Sequence, residues 1–307
     1  MKNTSSQTTL DTVLNGLMRR YSERVPDVQN VFNAMLDAGI IQSVSDVEND
    51  HIAFRTMGVP NLGLASFEKV FLHYGYERRD EYNFIEKKLT AYWYAPPEPH
   101  YPRIFASELR VDDLSAEAQR IIHRYTTTVT SDPVDALNLD DGEAVDRFLH
   151  WPLWETPTLT DYKALLHESE YAAWVIYNRY YLNHFTISVH NLKPGYNTIE
   201  AFVQFLKNQG FRLNSAGGTI KISPDENLRQ ASTVAQLIDA EFAGGAGSPA
   251  DIYRIAGSYV EFAERRVLPQ FRQLPANQLT RQHRREGFET GNADKIFEST
   301  FTTQTGK

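Results

Sequence analysis

Cysteine is absent from all 307 positions. Disulfides, thiolate metal sites, iron–sulfur clusters and cysteine nucleophiles are therefore excluded together. No run of about 18 apolar residues occurs, so no segment reads as a membrane-spanning helix. The polar start MKNTSSQTTL reads as a short flexible leader rather than a secretory signal. No block of lysine and arginine stands out, and the formal net charge is -8. Nucleic acid is not expected as a partner, because neutralising phosphates requires a basic surface. Familiar catalytic motifs are missing as well. There is no HExxH and no GxSxG, and GGAG at 244–247 lacks the strand-to-helix setting of a phosphate loop. These absences suit a cytoplasmic protein.

What is present is an ordinary globular composition, with 41% hydrophobic and 23% charged residues, in a chain long enough for a sizeable core. Leu10, Val13, Leu14 and Leu17 recur at helical spacing, as do Val28, Val31, Phe32, Met35 and Leu36. Pro26 and Asp27 divide residues 1–49 into two helices, the second ending near Gly39. Residues 113–181 read as mainly helical, with breaks near Pro133, Pro152 and Pro157. Trp151, Trp154 and Trp174 in this segment read as core aromatics. Residues 271–307 form a C-terminal extension in which RQHRREGFE, at 281–289, reads as a solvated mixed-charge stretch.

Between the helical parts lie two stretches of matching layout, 50–112 and 182–270. The first begins with the strand HIAFRTM at 51–57, continues through a helix near Ser66–Leu72 to Gly75 and Tyr76, and ends with RIFASELRV at 103–111. The second begins with HFTISVH at 184–190, passes a helix to Gly210 and Phe211, and ends with SYVEFAER at 258–265. Each helix closes on glycine plus an aromatic, the signature of a left-handed cap feeding a strand. Residues 235–254 read as an inserted helix and loop. Two βαβββ units constitute an internal repeat. The expected class is α+β, with both modules curling into one half-open barrel and the N-terminal and central helices added around it, in a single integrated domain.

In such a barrel the first and last strands converge, which makes His51, Glu108, His184 and Glu261 candidates for one metal. Two imidazoles and one carboxylate leave three positions open, as non-haem iron oxygenases require. The same donors suit zinc, and with Glu108 the site becomes a closed four-ligand one. His190 lies about 20 Å along the strand from His184, too far to share a coordination sphere. Arg55 stands an even step from His51, so both side chains share a face. It reads either as a clamp for a substrate carboxylate or as half of a salt bridge. Gln230 and Ser232 also share a face and are candidates for a polar pocket wall, with Lys221 on a neighbouring strand.

DHIAFRT, YYLNHFTISVH, LRQASTVA and YVEFAERRVLPQ together resemble the 2-oxoadipate dioxygenase/decarboxylase (hydroxyglutarate synthase) family of the vicinal-oxygen-chelate, glyoxalase-like superfamily. YVEFAER is more distantly similar to the metal-ligand strand of 4-hydroxyphenylpyruvate dioxygenases. The resemblance runs from about residue 10 to about 300. It implies an Fe(II) enzyme that turns 2-oxoadipate, or a related 2-oxo acid, and O₂ into 2-hydroxyglutarate and CO₂ in lysine catabolism. It implies His51, His184 and Glu261 as the iron ligands and Arg55 as the substrate-carboxylate arginine. Gln230 and Ser232 match as pocket residues by strand only, and Glu108 has no ligand role in that pattern. The chain is shorter than the longer members of that family. Other readings of the same scaffold are a metal-dependent isomerase or lyase, and a non-catalytic small-molecule binder.

Overall fold

The computed structural model describes residues 4–244 and 250–306, with side chains from residue 8 onward. Helices α1 (Thr4–Arg24) and α2 (Pro26–Asp37) open the chain. Helix α1 starts inside the stretch expected to be a flexible leader, and its apolar stripe of Leu10, Val13, Leu17 and Tyr21 is buried. Pro26 sits at the first turn of α2, where its missing N–H costs nothing.

The first module comprises β1 (Asn49–Met57), α3 (Leu64–His73), β2 (Glu77–Phe84), β3 (Leu89–Ala95) and β4 (Arg103–Leu109). Four helices follow: α4 (Ala116–Thr126), α5 (Gly142–Phe148), α6 (Leu159–Glu168) and α7 (Glu170–Asn178). The second module comprises β5 (His184–Ser188), α8 (Ile199–Asn208), β6 (Lys221–Ile222), β7 (Leu228–Ser232), the β8–β9 hairpin (Leu237–Phe242 and Asp251–Ala256) and β10 (Tyr259–Arg265). Helix α9 (Thr290–Phe297) and a last turn at Thr302–Thr305 complete it. Gly75 after α3 and Gly210 after α8 both have left-handed backbones, with φ of 86° and 83°. That is the conformation the repeated glycine–aromatic pair requires.

Eight strands form one sheet in the order β2-β3-β4-β1-β5-β10-β7-β6. In each module the first and last strands pair in parallel, β1 with β4 and β5 with β10. The modules meet where β1 and β5 run antiparallel, with Ala53 opposite His184. The result is the α+β half-barrel expected of two βαβββ units. The expected insertion at 235–254 departs from expectation in its described part: Leu237–Phe242 and Asp251–Ala256 are not helical but the two strands of a separate sheet. Burial alternates along β8, with Asp239 and Glu241 exposed and Ala240 and Phe242 buried, a period of two that no helix satisfies. Residues 245–247 of the GGAG segment lie outside the described residues. Helix α5 packs on α1, and α7 packs against β1, where the Tyr171 hydroxyl donates to the Ser107 carbonyl at 2.9 Å and accepts from the Thr56 amide at 3.2 Å. No described helix is long and apolar enough to cross a membrane.

Candidate metal centre

Strand register decides which side chains meet. Paired residues in a sheet point to the same face, so the register of His184 opposite Tyr259 and Glu261 opposite Thr186 on β5 and β10 puts His184 and Glu261 on one face. Ala53 opposite His184 adds His51 and Arg55 to that face. Ser232 opposite Glu261 and Gln230 opposite Ala263 bring in β7. In the first module His51 stands opposite Arg103, so the residue equivalent to Glu261 is Phe105, and Glu108 falls on the other face opposite Thr56. There the Glu108 carboxylate accepts the Leu64 amide at 2.7 Å and caps the start of α3. The four-ligand arrangement with Glu108 is not formed.

One donor atom each from His51, His184 and Glu261 lies within 4.8 Å of the others, and all three residues are buried. His184 Nε2 is 3.1 Å from one Glu261 oxygen and His51 Nε2 is 3.6 Å from the other. Three donors on one face of an octahedral ion, with bonds of about 2.1 Å, stand roughly 3.0 Å apart, a spacing that the His184–Glu261 separation meets and the His51–Glu261 separation approaches. Each imidazole is fixed through its other nitrogen. His51 Nδ1 bonds Asp50 Oδ1 at 2.8 Å and His184 Nδ1 bonds Asn183 Oδ1 at 3.0 Å, which turns both Nε2 atoms toward Glu261. Thr186 Oγ1 adds a contact of 3.1 Å to His51 Nε2.

The charges are arranged to suit a cation. Burial opposes ionisation of Glu261, but the two histidines outweigh it and hold the carboxyl well below its usual range. Burial dominates at His184 and lowers its pKa against the pull of Glu261, which favours the neutral imidazole that a metal needs. Burial also opposes charge on His51, yet Glu261 and Asp50 together raise its pKa. Asp50 is itself fully buried. Arg265 grips it from Nε at 2.7 Å and from Nη2 at 3.0 Å, and Arg103 adds a contact at 3.3 Å. Arg103 also pairs with Glu286, and Arg265 Nη1 donates to the carbonyls of Gly287 at 2.7 Å and Arg285 at 3.0 Å. Residues 284–288 are thus tied to the back of His51 rather than solvated as expected, and the Phe288 ring meets His51 edge-on at 4.8 Å.

Arg55 shares the sheet face of the triad and packs against Phe297. Its guanidinium lies 5.1 Å from the centres of Tyr171 and Trp174 and 5.6 Å from that of Phe297. Nη1 donates to Thr300 Oγ1 at 3.0 Å and Nη2 to the Phe297 carbonyl at 3.1 Å. Among the described residues no carboxylate forms an ion pair with it, and the buried Tyr259 hydroxyl is its polar neighbour. Gln230 Nε2 donates to Glu261 Oε1 at 2.7 Å, so it touches the carboxylate directly. Ser232 Oγ bonds Ser299 Oγ at 2.8 Å. Lys221 Nζ is spent on the Asn214 carbonyl at 2.8 Å. His190 Nδ1 accepts the Arg265 amide at 3.2 Å and stays out of the centre.

Phe105, Phe288, Ala293, Ile296 and Phe297 roof the three donors, leaving a cavity of about 20 Å³. A groove of about 840 Å³ along α2 shares none of these residues; it is larger but offers no converging donors. Asp50, Tyr171, Trp174, Phe288, Asn292, Phe297 and Thr300 were not singled out as site residues from the sequence. Only Asp50 carried a signal, as an acidic residue immediately before a candidate ligand.

The fold and the sequence both resemble those of known proteins. A putative glyoxalase superfamily protein from Ralstonia eutropha JMP134 has the same fold, with a TM-score of 0.71 and 20% identity over 90% of this chain and 84% of that one. The model of the 2-oxoadipate dioxygenase/decarboxylase family matches residues 13–280. An Arabidopsis thaliana relative, the chloroplastic 2-oxoadipate dioxygenase/decarboxylase, is 42% identical over 95% of this chain and 78% of its own length. The crystal structure of hydroxyglutarate synthase from Oryza sativa in complex with 2-oxoadipate superposes with a TM-score of 0.88, at 39% identity, covering 99% of this chain and 96% of that one. The chain belongs to the 2-oxoadipate dioxygenase/decarboxylase family. The chloroplastic designation of the Arabidopsis relative overturns the expectation of a cytoplasmic protein. That expectation rested on missing cysteines, which distinguish oxidising from reducing surroundings but not one reducing compartment from another.

Proposed function

We propose that this protein is an Fe(II)-dependent dioxygenase/decarboxylase that converts 2-oxoadipate and O₂ into 2-hydroxyglutarate and CO₂, a step in lysine degradation. The observation that carries the proposal is the unpaired Arg55 guanidinium, buried on the same face as His51, His184 and Glu261. A buried cation with no carboxylate is costly unless an anion meets it. The distal carboxylate of a dicarboxylic 2-oxo acid supplies that anion beside the Tyr259 hydroxyl. Iron bound by the two imidazoles and Glu261 supplies the redox chemistry and the open positions that a 2-oxo acid and dioxygen require.

The chain's own residues do the rest. Asp50 and Asn183 keep each imidazole's Nε2 turned inward. Gln230 holds the Glu261 carboxylate from one side. Arg55 sets the substrate's reach and direction, so its 2-oxo acid end lies at the triad. The phenylalanine roof excludes water, which strengthens every charge interaction beneath it. Anaerobic loading with Fe(II) followed by 2-oxoadipate and air tests the proposal. Oxygen uptake matched mole for mole by CO₂ and 2-hydroxyglutarate, and absent in His184→Ala, is expected. An iron-loaded protein that consumes no oxygen with 2-oxoadipate refutes the assignment.

A further inference from the structure

Helix α9 lies over the triad, and one polar side chain on it points into the site. Asn292, buried to 3% exposure, donates its Nδ2 to Gln230 Oε1 at 3.0 Å. Gln230 in turn donates its Nε2 to Glu261 Oε1 at 2.7 Å. We propose that Asn292 is a positioning residue for the metal-binding carboxylate, acting by fixing the orientation of the Gln230 amide. The proposal rests on the reading that His51, His184 and Glu261 hold a metal.

The direction of this relay is fixed at both ends by groups that only accept. Asn292 Nδ2 also faces the backbone carbonyls of Lys221 at 3.4 Å and Leu228 at 3.3 Å, so its NH₂ rather than its oxygen must point that way. Gln230 must then present its oxygen to Asn292 and its NH₂ to Glu261. A carboxylate that ligates a metal is ionised and accepts only. Rotated by half a turn, the Gln230 amide would set oxygen against oxygen at a buried site. A free glutamine has both orientations open to it, and Asn292 removes one. Gln230 and Glu261 are themselves buried to 2% and 1% exposure, so each lost bond stays unreplaced. The residue that sets the ligand's hydrogen bond thus comes from an element beyond the matched residues 13–280.

Titration of the metal-free protein with Co(II), followed by its visible absorption, tests this without turnover. Asn292→Ala is expected to weaken Co(II) binding about tenfold, within the range for loss of an outer hydrogen-bond partner. Asn292→Asp, which offers an acceptor to Gln230 and turns its amide over, is expected to weaken it further. In a Gln230→Ala background Asn292→Ala is expected to change Co(II) affinity less than twofold, because the relay is already cut. Equal losses in both backgrounds would show that Asn292 merely seats α9, and overturn the proposal, as would unchanged affinity in Asn292→Ala. Should Asn292→Ala fail to fold, Asn292→Ser carries the same comparison. Failure of the unsubstituted protein to bind Co(II) removes the triad reading and the relay with it, an outcome distinct from binding that is indifferent to Asn292.

Discussion

Replacing Arg55 with methionine separates its part in catalysis from its part in stability. Methionine keeps most of the length and packing but removes the charge. Arg55 is 1% exposed, among three aromatic rings, and has no carboxylate partner among the described residues. Loss of a buried, hydrogen-bonded charge pair costs about 2–5 kcal/mol of binding, or roughly 30-fold to a few thousandfold. The dry aromatic surroundings favour the upper half of that range for 2-oxoadipate. Stability should move in the other direction or hardly at all. Burial lowers the Arg55 pKa, meaning that the charge is held at a cost, and Thr300 Oγ1 keeps its contact with the Phe297 carbonyl at 3.3 Å. The assay compares kcat/KM for 2-oxoadipate with that for 2-oxohexanoate, which has a methyl in place of the distal carboxylate. Arg55→Met should abolish the preference for the dicarboxylate and leave the midpoint of thermal unfolding unchanged or higher. Equal fractional losses on both substrates would refute the reasoning, because they would place Arg55 outside the recognition of that carboxylate.

Glu261→Gln should cost more metal affinity than the roughly 100-fold upper range for outer partners, read by metal content after dialysis against a chelator, while the fold persists in circular dichroism. Asp50→Asn leaves Arg265 and Arg103 without their buried anion and should destabilise by about 3–5 kcal/mol in urea. Although burial opposes its charge, these arginines hold the Asp50 carboxyl well below its usual range. Its contribution is therefore complete above about pH 4 and lost as the pH falls through the lower, folded value, so the variant's acid unfolding curve should be flatter there. Burial lowers Lys221 from 10.5 to about 8. Between those values the folded state binds fewer protons than the unfolded chain, so this group makes stability rise with pH by up to about 1.4 kcal/mol per unit. Lys221→Met should remove that rise in urea melts at pH 8 and pH 10.

Much of this was legible in the strands. The repeated histidine, helix and glycine–aromatic pair marked two modules, because a strand that opens a barrel and a helix that caps on glycine are local demands written in adjacent residues. Parity settles the fourth candidate, which the family resemblance had already left out of the ligand set: Glu108 lies an odd number of steps from Arg103, the partner of His51, and so faces away. The β8–β9 pair was expected to be a helix and loop, whereas alternating exposure along β8 sets its true period. The roof and the Arg55 cage were not legible at all. Phe288, Asn292, Phe297 and Thr300 come from a short helix and its flanks, and no local pattern connects them to strands that the chain left long before.

The triad is divided unequally between the repeats, with His51 on β1 and both His184 and Glu261 on the second module. The buried Arg265–Asp50 pair that steadies it joins residues 215 apart in sequence. Such contacts form only after long loops have closed, late in folding. Neither half, released from the other, has a complete site to offer an ion. Capture of a metal by this triad would therefore require the two repeats to be joined, and a bound ion would act as a clasp between them, stabilising the joined state with the logarithm of its concentration.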